Sequence, residues 1–357
     1  MTPASIRLST LAVAALAALT WGQHAQAATA GSTDDTVFYA APATMPDGDH
    51  GTLLTYRSAT VKLGTGAVSA KAWNVTYKST DSVGAANVVS GTVLVPSANW
   101  TGSGSRPVVL YAVGTHGLAN GCAPSRQLAI GNDYEAANIN AALKAGYAVL
   151  VTDYAGYLNG QVPTYLAGKS QAQANLDLFK AAQGIPNAGI SASAKVAVWG
   201  FSQGGQTAAW TAEVLASYAP EAKVVGVAAG GIPADFIESA KNLDGNVGAA
   251  FLASGVVGLS AQYPLNMPID IIASDSGKAA LAKLKTQCVF EALFDLRDKK
   301  LTDFTLGNIG LDTLLQLSLI HDTLAAQNLG SNTISTPMYL YHGQADEFIP
   351  LNGAVNL

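Results

Sequence analysis

Val196-Ala197-Val198-Trp199 is an apolar run that passes directly into Gly200-Phe201-Ser202-Gln203-Gly204-Gly205, and Gln206 to Leu215 then reads as a helix. A strand joined to a helix through Gly-x-Ser-x-Gly constrains a fold tightly, because the backbone must reverse within very few residues. Gly200 and Gly204 suit that turn as residues without a Cβ, where side chains would collide. The turn lifts the Ser202 hydroxyl above a sheet edge, at the positive end of the helix dipole. Ser202 is thus a candidate nucleophile in an α/β protein.

The remainder of the chain fits that class. Ala72 to Lys78 and Val88 to Val95 cluster β-branched residues as strands do, and Arg106 to Val113 is a short apolar run ending at Gly114. A helix is expected over Asn132 to Lys144 and a strand over Tyr147 to Thr152, leading to Asp153-Tyr154-Ala155-Gly156. Ser170-Gln171-Ala172-Gln173 reads as a capping box for a helix through Ala182. Lys195 to Trp199 and Val224 to Ala229 follow as strands. Such alternation predicts a mostly parallel sheet flanked by helices, over residues 28–234. Residues 28–50 are polar and turn-rich, and Pro46-Asp47-Gly48-Asp49 reads as turn chemistry, not a cation loop.

The alternation breaks over residues 235–335. Helical stretches (Gly248 to Leu259, Ala279 to Leu296, Leu311 to Gln327) occur there without a strand, as a cap or lid inserted between late strands would. Phe251, Leu252, Val256, Val257 and Leu259 exceed what one buried helix face needs. They either line an acyl pocket or form the cap's own core. Pro337 to Tyr341 is a returning strand within a second core segment, 336–357.

Only 12% of the 357 residues are charged and 49% are hydrophobic, with a net charge of −5 and no basic run. This suits a well-buried core and argues against a nucleic-acid partner or disorder. Arg7, the apolar stretch Leu11 to Leu19 and Ala25-Gln26-Ala27 have the layout of a cleaved signal peptide over residues 1–27. The apolar stretch is too short for a membrane anchor. A secreted mature chain without a transmembrane segment is expected. In an exported protein, Cys122 and Cys288 are candidates for one disulfide, with two buried thiols as the alternative. A bridge between them would contribute about 4–5 kcal/mol through chain entropy.

A serine hydroxyl needs an imidazole to take its proton, a carboxylate to orient that ring and amides to hold the oxyanion. In this architecture the chain order is Ser, then Asp or Glu, then His. Asp346, in a Gly-x-x-Asp loop after the returning strand, is the preferred acid over Asp235. Glu347 reads as solvated and Asp153 as a loop brace. The amide of Gln203 is one oxyanion donor, and the amide of His116 or Gly117, in Gly114-Thr115-His116-Gly117, is the second. No histidine follows Asp346 up to Leu357. His24 belongs to the leader, His50 to an early turn, His321 to the cap and His342 to a strand end, while the His116 ring either contacts substrate or packs. The base is therefore expected beyond Leu357, after a further strand and loop. No metal ion is called for.

Taken together, Gly114-Thr115-His116-Gly117, Cys122-Ala123-Pro124-Ser125, Asp153-Tyr154-Ala155-Gly156, the serine motif, the Cys288 segment and His342-Gly343-Gln344-Ala345-Asp346 resemble the secretory lipase family, in particular its bacterial members, over roughly residues 50–357. The resemblance implies an α/β-hydrolase fold with a helical lid and a Ser-Asp-His triad. It implies hydrolysis of acylglycerols or other carboxylic esters without a cofactor, on a small ester or lipid substrate, with a lipid–water interface as a place of action. It also implies that Cys122 pairs with Cys288, that Ser202 is the nucleophile and that Asp346 is the acid. An acyltransferase or peptidase on the same fold, and a non-catalytic protein binding an apolar ligand, are the rival readings.

Overall fold

The computed structural model describes residues 28–357, and the leader expected over residues 1–27 lies outside the described residues. Nine strands form one sheet: β1 (Thr29–Ala30), β2 (Leu53–Ser58), β3 (Ala70–Thr80), β4 (Ala86–Pro96), β5 (Val108–Ala112), β6 (Ala148–Thr152), β7 (Val196–Phe201), β8 (Val224–Gly230) and β9 (Met338–Tyr341). Their order is β1-β2-β3-β4-β6-β5-β7-β8-β9. β1 runs parallel to β2, the pairs β2–β3, β3–β4 and β4–β6 are antiparallel, and β6, β5, β7, β8 and β9 run parallel.

The helices are α1 (Asp35–Phe38), α2 (Pro124–Ile130), α3 (Ala136–Lys144), α4 (Gly168–Ala182), α5 (Gln203–Tyr218), α6 (Phe236–Leu243), α7 (Ala249–Gln262), α8 (Ile269–Ile272), α9 (Asp275–Leu284), α10 (Val289–Leu296), α11 (Leu311–Leu314), α12 (Ser318–Ala325) and α13 (Leu351–Asn356). Strands buried on both faces alternate their side chains between two cores. Val108 and Leu110 of β5, with Val196 and Val198 of β7, pack against α4 and α5. Val109 and Tyr111 face the other way, onto Leu128 of α2 and Ile139 and Leu143 of α3. Helices α6 to α12 intervene between β8 and β9 and have apolar cores of their own. This is an α/β-hydrolase architecture with a helical insertion late in the sheet. No helix among the described residues is long and apolar enough to cross a membrane.

Local expectations needed correction in several places. The polar opening segment contains β1, which pairs with β2, and the short helix α1. Helix α3 starts at Ala136, four residues later than its sequence pattern suggests. The capping box at Ser170 does not form. Leu166 takes a positive φ of 65°, so the chain enters α4 two residues before Ser170, which is buried inside the first turn. Gly168 is held at that start because a Cβ there would lie 2.3 Å from the Trp210 ring.

The stretch 279–296 is two helices. Gln287 O accepts from both Leu118 N and Ala119 N, and Cys288 is tied to Cys122, so the chain is pinned where a helix would have continued. The stretch 311–327 is likewise broken. At 3.6 residues per turn, one straight helix would set Ile320 and Leu324 about a third of a turn away from Leu311 and Leu314. The break lets both pairs enter the same cap core.

Candidate active site

The turn between β7 and α5 holds Ser202 at φ 59°, ψ −121°, a backbone region that non-glycine residues rarely occupy. Such a conformation costs about 1–3 kcal/mol and persists only where its surroundings enforce it. They do so here. Ser202 N donates to Gly230 O at 2.9 Å, and Ser202 O accepts from Gln206 N at 2.9 Å. A Cβ on Gly200 would sit 2.2 Å from Gly204 O, one on Gly204 2.0 Å from Ala112 O, and one on Gly205 2.1 Å from Gly230 O. The three glycines therefore let β5, β8 and α5 close around the serine. Gln203 opens α5, so its amide is among those without an intrahelical acceptor.

Register gathers the other predicted residues at the same edge. Ala112 of β5 pairs with Gly200, and Phe201 pairs with Gly230, which pairs with Tyr341 of β9. The Gly114–Gly117 loop, Ser202 and the Asp346 loop thus all leave the C-terminal ends of parallel strands, where such sheets carry their sites.

All four carbonyls of the Gly114–Gly117 loop have fixed partners, Gly117 O accepting from the Tyr157 hydroxyl. Gly114 O accepts from His116 Nδ1 at 2.9 Å, Thr115 O from the Tyr134 hydroxyl at 2.9 Å, and His116 O from Val289 N at 3.0 Å. In a planar trans peptide the following N–H points opposite its carbonyl. The Thr115, His116 and Gly117 amides are consequently turned away from those partners. The His116 ring itself is buried against Asp133, so of its two sequence-level readings the packed one holds. Gly117, at φ 107°, lies against Cys288, which a Cβ would approach to 2.6 Å.

Asp346 turns its own loop. Its Oδ1 accepts from Phe348 N at 3.0 Å and Ile349 N at 2.9 Å. Oδ2 lies 3.4 Å from His342 Nε2, which donates to Ile349 O at 2.9 Å. His342 therefore braces this loop. From the insertion, the Asn242 amide donates to Glu347 O and Phe348 O, and Asn246 donates to Glu347 O. Glu347 is exposed, as its sequence context suggests. Asp235 caps α6 through Glu238 N at 2.9 Å. Asp153 braces a loop, accepting from Ser125 N and from the Ser90 and Ser125 hydroxyls.

Ser202 and Gln203 open onto a cavity of about 70 Å³, walled by Tyr165, Leu166, Phe236, Phe251, Leu252, Val256, Leu259, Phe348 and Ile349, among others. A second cavity of about 100 Å³ lies within the insertion and shares Leu252, Val256, Met267 and Leu324 with the first. Its lining is almost wholly apolar, with Ile272, Leu281, Leu296 and Phe304 among its walls. Four of the five surplus apolar residues thus line the serine's cavity, while Val257 packs in a cap core. Leu166 was not visible as a site residue in the sequence. Its positive φ is held by Gln206 Nε2, which donates to Leu166 O at 3.2 Å. Asn242 and Asn246 carry no sequence signal either.

Of the remaining histidines, His50 bonds Asp177 at 2.6 Å and His321 bonds Asp322 at 3.0 Å. The disulfide Cys122–Cys288 is formed and joins the start of α2 to the N-cap of α10.

The family model of secretory lipases matches residues 123–357, more than half of the chain. The chain belongs to the secretory lipase family. It is 28% identical over 276 residues to a secreted triacylglycerol lipase of Malassezia globosa, covering 74% of this chain and 56% of that protein. The chain thus spans little more than half the length of that relative. A probable inactive lipase of Mycobacterium tuberculosis is 27% identical over 327 residues, covering 89% of this chain and 72% of its own. Lipase A of Candida antarctica in its closed state superposes with a TM-score of 0.75 at 24% identity, over 90% of this chain and 76% of that one, and shares the fold.

Proposed function

We propose that this secretory lipase family member is an exported serine hydrolase that cleaves carboxylic esters of apolar acids, acylglycerols above all. The observation carrying the proposal is a serine held at positive φ between strand and helix, opening onto a deep apolar cavity. In this reading Ser202 Oγ attacks the ester carbonyl while its proton passes to an imidazole. The amide of Gln203, with that of His116 or Gly117, holds the oxyanion. The tetrahedral adduct collapses, the C–O bond to the alcohol breaks, and the imidazolium protonates that alcohol as it leaves. Water then repeats the sequence to free the acid. Asp346 orients the imidazole, which we assign to none of the described histidines, since His50, His116, His321 and His342 are each engaged elsewhere. The acyl chain runs from Ser202 into the cavity shared with the insertion.

The test is fluorophosphonate labelling and p-nitrophenyl ester turnover by the full natural chain. Wild type is expected to be labelled at Ser202 and to turn over, and Ser202→Ala to do neither. Wild type without labelling favours the reading as a non-catalytic binder of apolar ligands.

A further inference from the structure

Beneath the Gly114–Gly117 loop lies a group of ionisable side chains for which the reaction above has no use. His116 is 4% exposed, Asp133 6% and Glu135 5%. Burying so much charge is unfavourable unless it is paired and hydrogen-bonded. The hydrogen bonds identify the protons. His116 Nδ1 faces Gly114 O at 2.9 Å, and a carbonyl only accepts, so Nδ1 carries a hydrogen. Nε2 faces Asp133 Oδ2 at 3.1 Å. An imidazole is a stronger base than a carboxylate by roughly 2–3 pKa units, so the shared proton belongs to the ring.

The second carboxylate reinforces this. Burial raises the Glu135 pKa above its ordinary value, but the carboxylate accepts from Gly114 N at 2.7 Å and the Tyr111 hydroxyl at 2.9 Å, two donors that suit its ionised form. Asp133 Oδ1 accepts from Glu135 N at 2.9 Å. Burial pulls the His116 pKa down, but the Asp133 bond and charge, Glu135 and the Gly114 carbonyl together leave it raised. The Tyr134 ring stacks on the imidazole with centroids 4.9 Å apart, a contact that favours a cation. Tyr111, Tyr134, Tyr157 and Tyr165, the other ionisable groups around the loop, are held neutral by burial, which pushes each well up.

We infer that His116 and Asp133 form a buried imidazolium–carboxylate strut that holds the Gly114–Gly117 loop in the shape presenting its amides to the oxyanion, which makes His116 a positioning residue. The strut acts on the loop through Gly114 O, while Glu135 fixes Gly114 N and Tyr134 fixes Thr115 O. One turn of chain is thereby set by a single charged cluster from residues 133–135. The kinetic part of this inference rests on the hydrolase reading, whereas the charge state does not.

Two measurements decide it. In nitrogen-15 spectra of histidine-labelled protein, assigned by comparison with His116→Gln, both ring nitrogens of His116 should remain protonated above pH 6.5, where an ordinary imidazole has lost its proton. In the full chain, His116→Gln and Asp133→Asn should each lower kcat by about 10²-fold with little change in KM, as loss of one oxyanion donor does. The double variant should be no slower than either single one, and an alkaline fall in wild-type rate should be missing from His116→Gln. A neutral, singly protonated His116 ring, or His116→Gln with kcat within about threefold of wild type, overturns the strut. A wild type unreactive at Ser202 sinks the hydrolase reading and leaves the ion pair to be decided by the spectrum.

Discussion

At the scale of single residues, the sharp corner at Ser202 depends on side-chain atoms that its glycines lack. A methyl group on Gly204 would have to occupy space 2.0 Å from the Ala112 carbonyl, which is backbone and cannot swing aside. Gly204→Ala should therefore destabilise the protein by about 2 kcal/mol or more and slow Ser202 labelling, whereas Gly121→Ala, facing open space without a positive φ, should leave labelling unchanged. Chemical unfolding and probe kinetics on the same samples would show both. Asp346 makes a second residue-level case. Its carboxylate holds two amides of its own loop and, in the proposed reaction, the imidazole. Asp346→Asn should keep the fold yet cut kcat by about 10⁴-fold, the cost of losing the acid that fixes the ring's tautomer. A variant within tenfold of wild type would move the acid elsewhere.

At the scale of elements, the disulfide and the N-terminal turn carry the testable consequences. Cys122 and Cys288 are 166 residues apart in sequence, so their bond restricts a large part of the unfolded chain. Chain entropy sets the stabilisation at about 5 kcal/mol before losses from strain or residual structure. The bond also ties the start of α2 to α10, beside the Gly117–Cys288 bridge. The Cys122→Ser, Cys288→Ser pair should lower the urea midpoint markedly and raise amide exchange in α10 more than in β5. Equal protection of both would mean that the bridge does not hold the insertion to the core.

His50 joins the turn before β2 to α4 by way of Asp177, which also accepts from Ser79 and Tyr218. The Asp177 hydrogen bond, outweighing partial burial, raises the His50 pKa above its ordinary 6.5. A raised folded pKa means stabilisation that is complete below about pH 6.5 and fades as pH climbs through the folded value. The stability difference between wild type and His50→Asn should thus be larger at about pH 5.5 than at about pH 8.5, by no more than about 1 kcal/mol for a partly exposed pair. A difference independent of pH would show that the ring is not charged there.

At the scale of the whole molecule, the sheet supplies a rigid edge and the insertion supplies a lining. The two apolar cavities meet at Leu252, Val256, Met267 and Leu324, so in the proposed reaction a long acyl chain entering beside Ser202 passes those four side chains. Each further methylene buried beyond them is worth about 0.8 kcal/mol. Val256→Trp should therefore preserve turnover of short p-nitrophenyl esters and lower kcat/KM on long-chain ones by about tenfold or more. A chain-length profile unchanged by that substitution would separate the second cavity from the substrate path.

Much of this was legible in the chain itself. Periodicity and glycine placement specify the strand–turn–helix at Ser202, the parallel alternation from β5 to β8, and a helical stretch inserted before β9, because these depend on local sterics and on which faces must be buried. Asp346 was legible as a loop acid from its position after a strand. The breaks in the helices at Gln287 and Leu315 were not, since they answer to a disulfide partner and a shared core distant in sequence. Nor were Leu166, Asn242 and Asn246, whose hydrogen bonds join side-chain amides to backbone carbonyls that are neighbours only in the folded chain. The His116 ring illustrates the division best. Its place in a glycine-bounded loop was written in the sequence, but its proton was settled by Asp133 and Glu135, because burial makes a charge's state depend on whatever partner the fold brings within reach.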